Sequence, residues 1–236
     1  MVTTTGATDS TVLPAVLEHY RWWIADDGID LQRFRDELPT KPKGQDLRKI
    51  ATRYRVSRGL RRGKECEYLE FIQNALRSEW PTGLNNRANR IVEISKAAHK
   101  DGLTSGVTVS LASKVVWHFK PAGWTLFDKY AANAVLGKKH VRSVERIVQF
   151  YEKLETFEFD SIIAKMNDAK SESDLPHLWS ERIFDKWLLN NSDSENEAFA
   201  MPGESFKGVV GDRTFASLEK LAIQLEKVLP RGLLVK

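Results

Sequence analysis

Apolar residues recur at intervals of three and four along most of this chain, and this spacing restricts its fold more than any other feature. The segment 140–154 shows it most clearly, with Val141, Val144, Ile147, Val148, Tyr151 and Leu154. Residues three and four apart share one face of an α-helix, so such a segment presents an apolar stripe for burial. We count roughly ten segments of this kind and no convincing pair of β-strands. The sequence therefore predicts an all-α fold.

The helical segments suggest a division of the chain into an arm, a main domain and a tail. Residues 1–11 are small and polar, and we expect a disordered arm there. Residues 12–190 supply enough apolar side chains for one core of ordinary domain size. Residues 191–236 begin with a polar, acidic linker and end with an amphipathic helix over Thr214–Leu229. That helix is expected to pack on the domain or to meet a second copy of the chain.

Cysteine and histidine usage argues against several kinds of site. Cys66 is the single cysteine, so neither an internal disulfide nor an iron–sulfur cluster held by four cysteines of one chain can form. The five histidines are scattered without metal-ligand spacing, so we expect no metal and no other cofactor. No apolar run is long enough to span a bilayer, and the N-terminus lacks the features of a secretory signal. A cytoplasmic location without membrane association is therefore predicted.

Positive charge is concentrated in one segment. Residues 41–64 contain ten basic residues and one acidic residue, whereas the whole chain has a net charge of only +4. The rest of the chain is thus net negative. A cluster of this kind is typical of a surface that meets phosphates, although a merely solvated basic face is the plain alternative.

The stretch 105–135 predicts two helices separated by a tight break. Residues 108–119 carry one apolar stripe, and a different face carries Ser110, Lys114, Trp117 and His118. Pro121 and Gly123 end the first helix, since proline has no backbone N–H and glycine accepts unusual backbone angles. Asp128 precedes the second helix in the N-cap position, where its carboxylate can accept backbone N–H bonds. A capping role and nothing more is the plain interpretation of Asp128.

This stretch resembles the helix–hairpin–helix family of DNA glycosylases. Gly106-Val107-Thr108 stands where that family has its hairpin, and Thr125-Leu126-Phe127-Asp128 stands where it has an aspartate-containing turn. Ser113-Lys114, the break at Phe119-Lys120-Pro121, and Phe127-Asp128 are also similar to bacterial proteins with an 8-oxoguanine glycosylase fold. The first hairpin helix of the family, with its Leu-Pro, is not recognisable. The resemblance therefore implies a compact glycosylase-like helical bundle with a degenerate or missing hairpin.

The resemblance also implies a function and a set of site residues. The function is removal of a damaged or modified base, extruded from duplex DNA, with Asp128 stabilising positive charge on the sugar. In the ungapped match Ser110 takes the place of a lysine nucleophile, as in the adenine branch that uses water. Lys114, one turn later, is the alternative nucleophile for strand cleavage, while a surface lysine is its plain interpretation. Trp117, His118 and Trp124 are expected at the base pocket. The expected DNA contacts are Arg53, Arg55, Arg58, Arg61, Arg62, Lys64, Arg87 and Arg90.

Two further expectations and two alternatives complete this interpretation. A DNA-directed enzyme would be associated with the nucleoid. Arg182 and Asp185 lie in a segment similar to the last helix of the glycosylase fold and are expected to pair locally. Two alternatives remain: a DNA-binding module that kept the fold and lost the reaction, for example in a defence system, and an all-α scaffold that dimerises through Thr214–Leu229.

Overall fold

The computed structural model describes residues 12–22, 44–138, 142–173, 175, 178–192 and 203–235. The predicted arm and most of the predicted linker lie outside these residues. Within them the chain forms α-helices and two short 3₁₀ turns and no strand, so the all-α prediction is confirmed. The helices are α1 Val12–Trp22, α2 Gly44–Arg53, α3 Glu65–Ala75, α4 Leu84–Lys100, α5 Val109–Phe119, α6 Lys129–Leu136, α7 Ser143–Thr156, α8 Phe159–Ser171, α9 Ser180–Asn190, α10 Gly203–Val210 and α11 Asp212–Glu226. No helix in this described part is long and apolar enough to cross a membrane.

Helix α5 is the central helix of the bundle. It packs against α2, α4 and α7, and nine of its eleven residues are buried. A helix covered on all sides has no exposed polar face, which corrects the expectation of a surface lysine in α5. The Lys114 side chain is only 3% exposed, and Trp117 and His118 are completely buried.

Helix α9 is the second buried helix, and it is unusual in carrying four buried charged side chains. It packs against α1, α6 and α8. A buried charge needs a partner, and each of these has one. The three contacts are Arg182 with Asp185, Lys186 with Glu18 of α1, and Glu181 with the backbone N–H of Gly123. The predicted Arg182–Asp185 pair is thus confirmed.

The C-terminal helix α11 packs on its own chain. Its apolar stripe, Phe215, Leu218, Leu221, Ala222 and Leu225, is buried, and the helix contacts α1 and α8. Beyond it, the N–H of Val235 donates to the carbonyl of Ala134 over 2.8 Å, which ties the end of the chain to α6. The stripe that the sequence left open to a partner is therefore covered within the molecule.

Candidate functional site

Lys114 and Asp128 meet at the junction of α5 and α6. Lys114 Nζ lies 2.8 Å from Asp128 Oδ2 and 2.8 Å from Ser110 Oγ, one turn earlier in α5. The other carboxylate oxygen of Asp128 accepts the backbone N–H of Tyr130 over 2.9 Å, so the predicted N-cap is confirmed. One carboxylate thus joins a buried ammonium to the first turn of a helix.

The loop between α5 and α6 is tied down so that Asp128 faces Lys114. Gly123 has a φ of +74°, a backbone conformation that glycine adopts readily. Ser113 Oγ accepts the N–H of Phe127 over 3.1 Å, and the Tyr151 hydroxyl donates to the carbonyl of Thr125 over 2.6 Å. These bonds hold the last residues of the loop against α5 and α7. The position of the carboxylate is therefore set by the core.

The environment of Asp128 favours its ionised form. Burial by itself would raise the pKa of this carboxyl. The Lys114 ammonium, its hydrogen bond and the Tyr130 N–H outweigh burial and hold the pKa below its ordinary value. The Asp128 side chain remains 23% exposed, against 3% for Lys114. Asp128 is therefore an ionised carboxylate that a ligand can approach.

The pair lies in the wall of a cavity of about 520 Å³. Helices α1, α2, α5, α6, α7 and α9 all contribute to its walls. Its aromatic side chains are Trp22, Tyr54, Phe127 and Tyr130. Its charged side chains are Arg53, Arg55, Lys114, Lys129, Arg146, Arg182 and Lys186, with Asp128 and Asp185 as the acids. Seven basic groups against two acidic ones, beside several rings, suit an anionic ligand with a flat apolar part.

Asp185 is the second carboxyl group of the cavity, and its environment differs from that of Asp128. Its side chain is 3% exposed and pairs with Arg182. Burial raises the pKa of the Asp185 carboxyl above its ordinary value, although Arg182 and Lys186 oppose the rise. Asp128 and Lys114 also act on the pKa of Asp185. The negative charge of Asp128 raises the pKa of Asp185, and the positive charge of Lys114 lowers it.

The residues expected at the base pocket lie elsewhere, which corrects that expectation. Trp117, His118 and Trp124 are fully buried and do not line the cavity. Trp117 packs edge-to-face on Trp179, and Trp124 packs on Tyr151. His118 Nδ1 lies 2.7 Å from the carbonyl oxygen of Lys114. On the face of α5 that they share, Ser110 and Lys114 line the cavity, whereas Trp117 and His118 are part of the core.

The expected DNA contacts fall into different environments. Arg53 and Arg55 line the cavity. Arg58, Arg61 and Arg62, here called the α2–α3 arginines, are exposed between α2 and α3. Lys64 pairs with Glu67 over 2.7 Å at the surface.

Arg87 and Arg90 both make hydrogen bonds within the fold. Arg87 Nε donates to the carbonyl of Pro81 over 2.9 Å, and its Nη1 donates to the carbonyl of Gly123. Arg90 Nη2 donates to the carbonyl of Ala75 over 2.9 Å. Both guanidinium groups hold loops in place, and their expected role as DNA contacts stays a prediction.

The region of the expected hairpin packs against the basic segment. The N–H of Arg61 donates to the carbonyl of Leu103 over 3.2 Å, and the N–H of Ser105 donates to the carbonyl of Gly59 over 3.0 Å. The loop between α4 and α5 therefore lies beside the α2–α3 arginines. Any phosphate bound at one of these features would be close to the other.

The cavity residues that were not identified as site residues from the sequence include Trp22, Tyr54 and Asp185. Trp22 ends α1, Tyr54 follows α2, and Asp185 lies in α9. They are far apart in the chain, and no local pattern links them to Asp128. The only signal was the acid–base spacing of Arg182 and Asp185, which indicated a pair and not a site. No protein-family model, no curated protein and no solved structure matches the chain.

Proposed function

We propose that this protein removes a damaged or modified base from DNA by cleaving the N-glycosidic bond. The observation that carries the proposal is the contact of 2.8 Å between Lys114 Nζ and the Asp128 carboxylate in the wall of an aromatic, positively charged cavity. An extruded nucleotide has the matching chemistry, because it combines a flat base with phosphates. The cavity volume of about 520 Å³ is sufficient for one nucleotide.

Asp128 would stabilise the reacting sugar. When the N-glycosidic bond breaks, its electron pair leaves with the base and the sugar becomes oxocarbenium-like. A fixed carboxylate beside that sugar stabilises the positive charge more than it stabilises the neutral substrate. Asp128 suits this role because the N–H of Tyr130 orients it and its pKa is low enough to keep it ionised at neutral pH.

Lys114 would act as the nucleophile in a reaction that also cleaves the strand. Its ammonium must first lose a proton, and Asp128 and Ser110 are the two oxygen acceptors within 2.8 Å. The amine would then form a bond to C1′ as the base departs with the glycosidic electron pair and takes up a proton. Opening of the sugar ring would leave a Schiff base. If Lys114 only positions Asp128, water is the nucleophile instead of the Lys114 amine, and the DNA strand stays intact.

DNA would approach from the side of the basic segment. Arg53 and Arg55 lie at the cavity, and the α2–α3 arginines extend the positive surface beyond it. Cations in this arrangement contact the phosphates on either side of an extruded nucleotide, which makes binding dependent on salt.

One observation favours a second candidate, a DNA-binding module without the reaction. The Lys114–Asp128 pair also caps α6 and satisfies a buried ammonium, so it has a structural role whether or not chemistry takes place. Such a module would bind DNA in a salt-sensitive way and release no base. A nucleoid-associated location fits both candidates.

The deciding experiment is a screen for base release and strand cleavage over duplexes that each contain one damaged or modified base. On a processed substrate, Asp128→Asn should lower the rate of base release at least about a hundredfold. Lys165→Ala is the control, because Lys165 is an exposed residue of α8 that does not line the cavity. Its rate should change by less than about threefold, as expected for a surface charge.

Borohydride trapping on DNA with an abasic site then tests Lys114. A covalent adduct that forms with the wild type and is lost in Lys114→Met identifies the lyase, whereas no adduct with either protein supports attack by water. Full base release by Asp128→Asn would refute the glycosylase proposal. Binding without base release on any duplex would support the module.

A further inference from the structure

We propose that Asp185 selects the base by accepting, through its Oδ1 atom, a hydrogen bond from an N–H group on the base edge. The inference rests on the proposed function, since it assumes that a nucleotide base enters this cavity. The expected ligands are bases whose pairing edge carries an N–H or NH₂ donor. Neither the sequence nor the chemistry of Asp128 requires such a contact.

The two oxygens of Asp185 differ in what they contact. Oδ2 pairs with the Arg182 guanidinium. Oδ1 is buried and has no hydrogen-bond partner among the described residues. The residue is only 2% exposed, yet it lines the same cavity as Asp128 and Lys114. A cavity-lining residue with one buried, unpartnered carboxyl oxygen is suited to a hydrogen-bond donor on a ligand.

The direction of Asp185 is set by the surroundings of Arg182. The Arg182 guanidinium carbon lies 5.3 Å from the ring centre of Trp117 and 5.6 Å from that of Tyr54. Its Nη2 also donates to the Tyr54 hydroxyl over 3.3 Å. An arginine held between two rings restrains the carboxylate that it binds, so Oδ1 is a fixed acceptor.

An unsatisfied buried acceptor discriminates strongly between ligands. A base that donates an N–H to Oδ1 gains a hydrogen bond to a carboxyl group. A base of similar shape without that N–H leaves the oxygen unpaired in a place that water reaches poorly, and it is rejected. Hydrogen bonds to charged groups correspond to a difference in affinity of about tenfold or more.

The test is a scan of donor groups measured by binding alone. Each probe is a labelled duplex with one central 2′-fluoroarabino nucleotide, whose sugar resists loss of the base, placed opposite an abasic residue so that no base pair must break. Purine and pyrimidin-2-one are the references without a donor. Adenine, 2-aminopurine, hypoxanthine, guanine and cytosine add donors at different edge positions. A duplex abasic at both positions measures binding to the backbone, and affinities are compared by fluorescence anisotropy at one salt concentration.

The wild type should bind at least one donor-bearing base about tenfold or more tightly than its donor-free reference. In Asp185→Asn the amide oxygen should face Arg182 and the NH₂ group should replace Oδ1, so this preference should shrink below about threefold or reverse. Lys165→Ala, a change of an exposed lysine of α8 that does not line the cavity, should keep the wild-type preference. If Asp185→Asn does not fold, Asp185→Glu retains the charge opposite Arg182 but displaces the acceptor by one methylene, and it should change the order of preference.

Equal affinity of the wild type for all bases and their references would overturn the inference without any variant. An unchanged order of preference in the folded variants at position 185 would also overturn it. Because the sugar of the probes resists base loss, a protein that binds but never releases a base can still show the preference. Conversely, the protein could release a base and yet bind all probes with equal affinity. That result would refute the role of Asp185 and leave the proposed function intact.

Discussion

Replacing Asp128 with Asn should destabilise the protein mainly through Lys114. Asn is itself a favoured N-cap residue, so the bond from the Tyr130 N–H can persist and the cap contributes only a few tenths of a kcal/mol, roughly, to the loss. The larger effect is that a lysine only 3% exposed loses its anionic partner. Removing one partner of a fully buried ion pair costs about 3–5 kcal/mol. Because Asp128 is 23% exposed, we expect about 2–3 kcal/mol here.

The measurement is equilibrium unfolding in urea, followed by tryptophan fluorescence and by circular dichroism. With a slope of about 3 kcal/mol per molar urea, the midpoint should fall by roughly 0.7–1 M. Glu67→Gln is the matched control, because it neutralises one carboxylate of a surface pair whose two side chains are 43% and 54% exposed. That change should cost about 0.5 kcal/mol or less. Adding Lys114→Met to Asp128→Asn should restore much of the stability, because an apolar side chain needs no partner.

The dependence on pH separates the charge from other effects of the substitution. The folded pKa of Asp128 lies below its ordinary value of 3.8, so the stabilisation is fully present well above 3.8 and is lost as the pH falls through the lower folded value. The difference in free energy of unfolding between wild type and Asp128→Asn should therefore be constant from about pH 7 to pH 5 and should decrease below about pH 4. A gap under about 0.5 kcal/mol at pH 7, or one that persists unchanged in acid, would refute a charge-based role for the pair.

Three further predictions test the framework of the site. Gly123→Ala should lower the free energy of unfolding by at least about 1–2 kcal/mol, because φ of Gly123 is +74° and a new Cβ would lie 2.8 Å from Arg87 Nη1. Gly106→Ala is the control: its Cβ would meet nothing within 4 Å, so its free energy of unfolding in the same urea assay should be nearly unchanged. Glu18→Gln should lower the free energy of unfolding by about 3 kcal/mol, because Lys186 stays buried without its carboxylate. Adding Lys186→Met should restore much of that stability, and an unchanged stability of Glu18→Gln would contradict the burial of this pair. Changing the α2–α3 arginines together to Gln should lower the slope of log affinity for DNA against log salt by up to about 0.9 for each phosphate contact removed, and an unchanged slope would place the DNA elsewhere.

Only part of the candidate site could be found from the sequence. Asp128 was identifiable because capping depends on the few residues that follow it, and Lys114 because it lies one turn after Ser110 in a helix with clear spacing. The base-pocket residues were misplaced because periodicity tells which side chains share a face of α5 and not whether another helix covers that face. Asp185 was read as half of a local pair, and its second oxygen became relevant only with the cavity known.

By itself, the sequence determined the helical class, the approximate bounds of α5, α7 and α11, the N-cap at Asp128 and the concentration of positive charge between residues 41 and 64. These features follow from interactions between residues that are close in the chain. Only the tertiary structure decided that α5 and α9 are buried, that an ammonium and a carboxylate fourteen residues apart lie within 2.8 Å, and that Trp22, Tyr54 and Asp185 share one cavity. The physical reason is that burial and the partner of a buried charge depend on what packs opposite, and those residues come from distant parts of the chain.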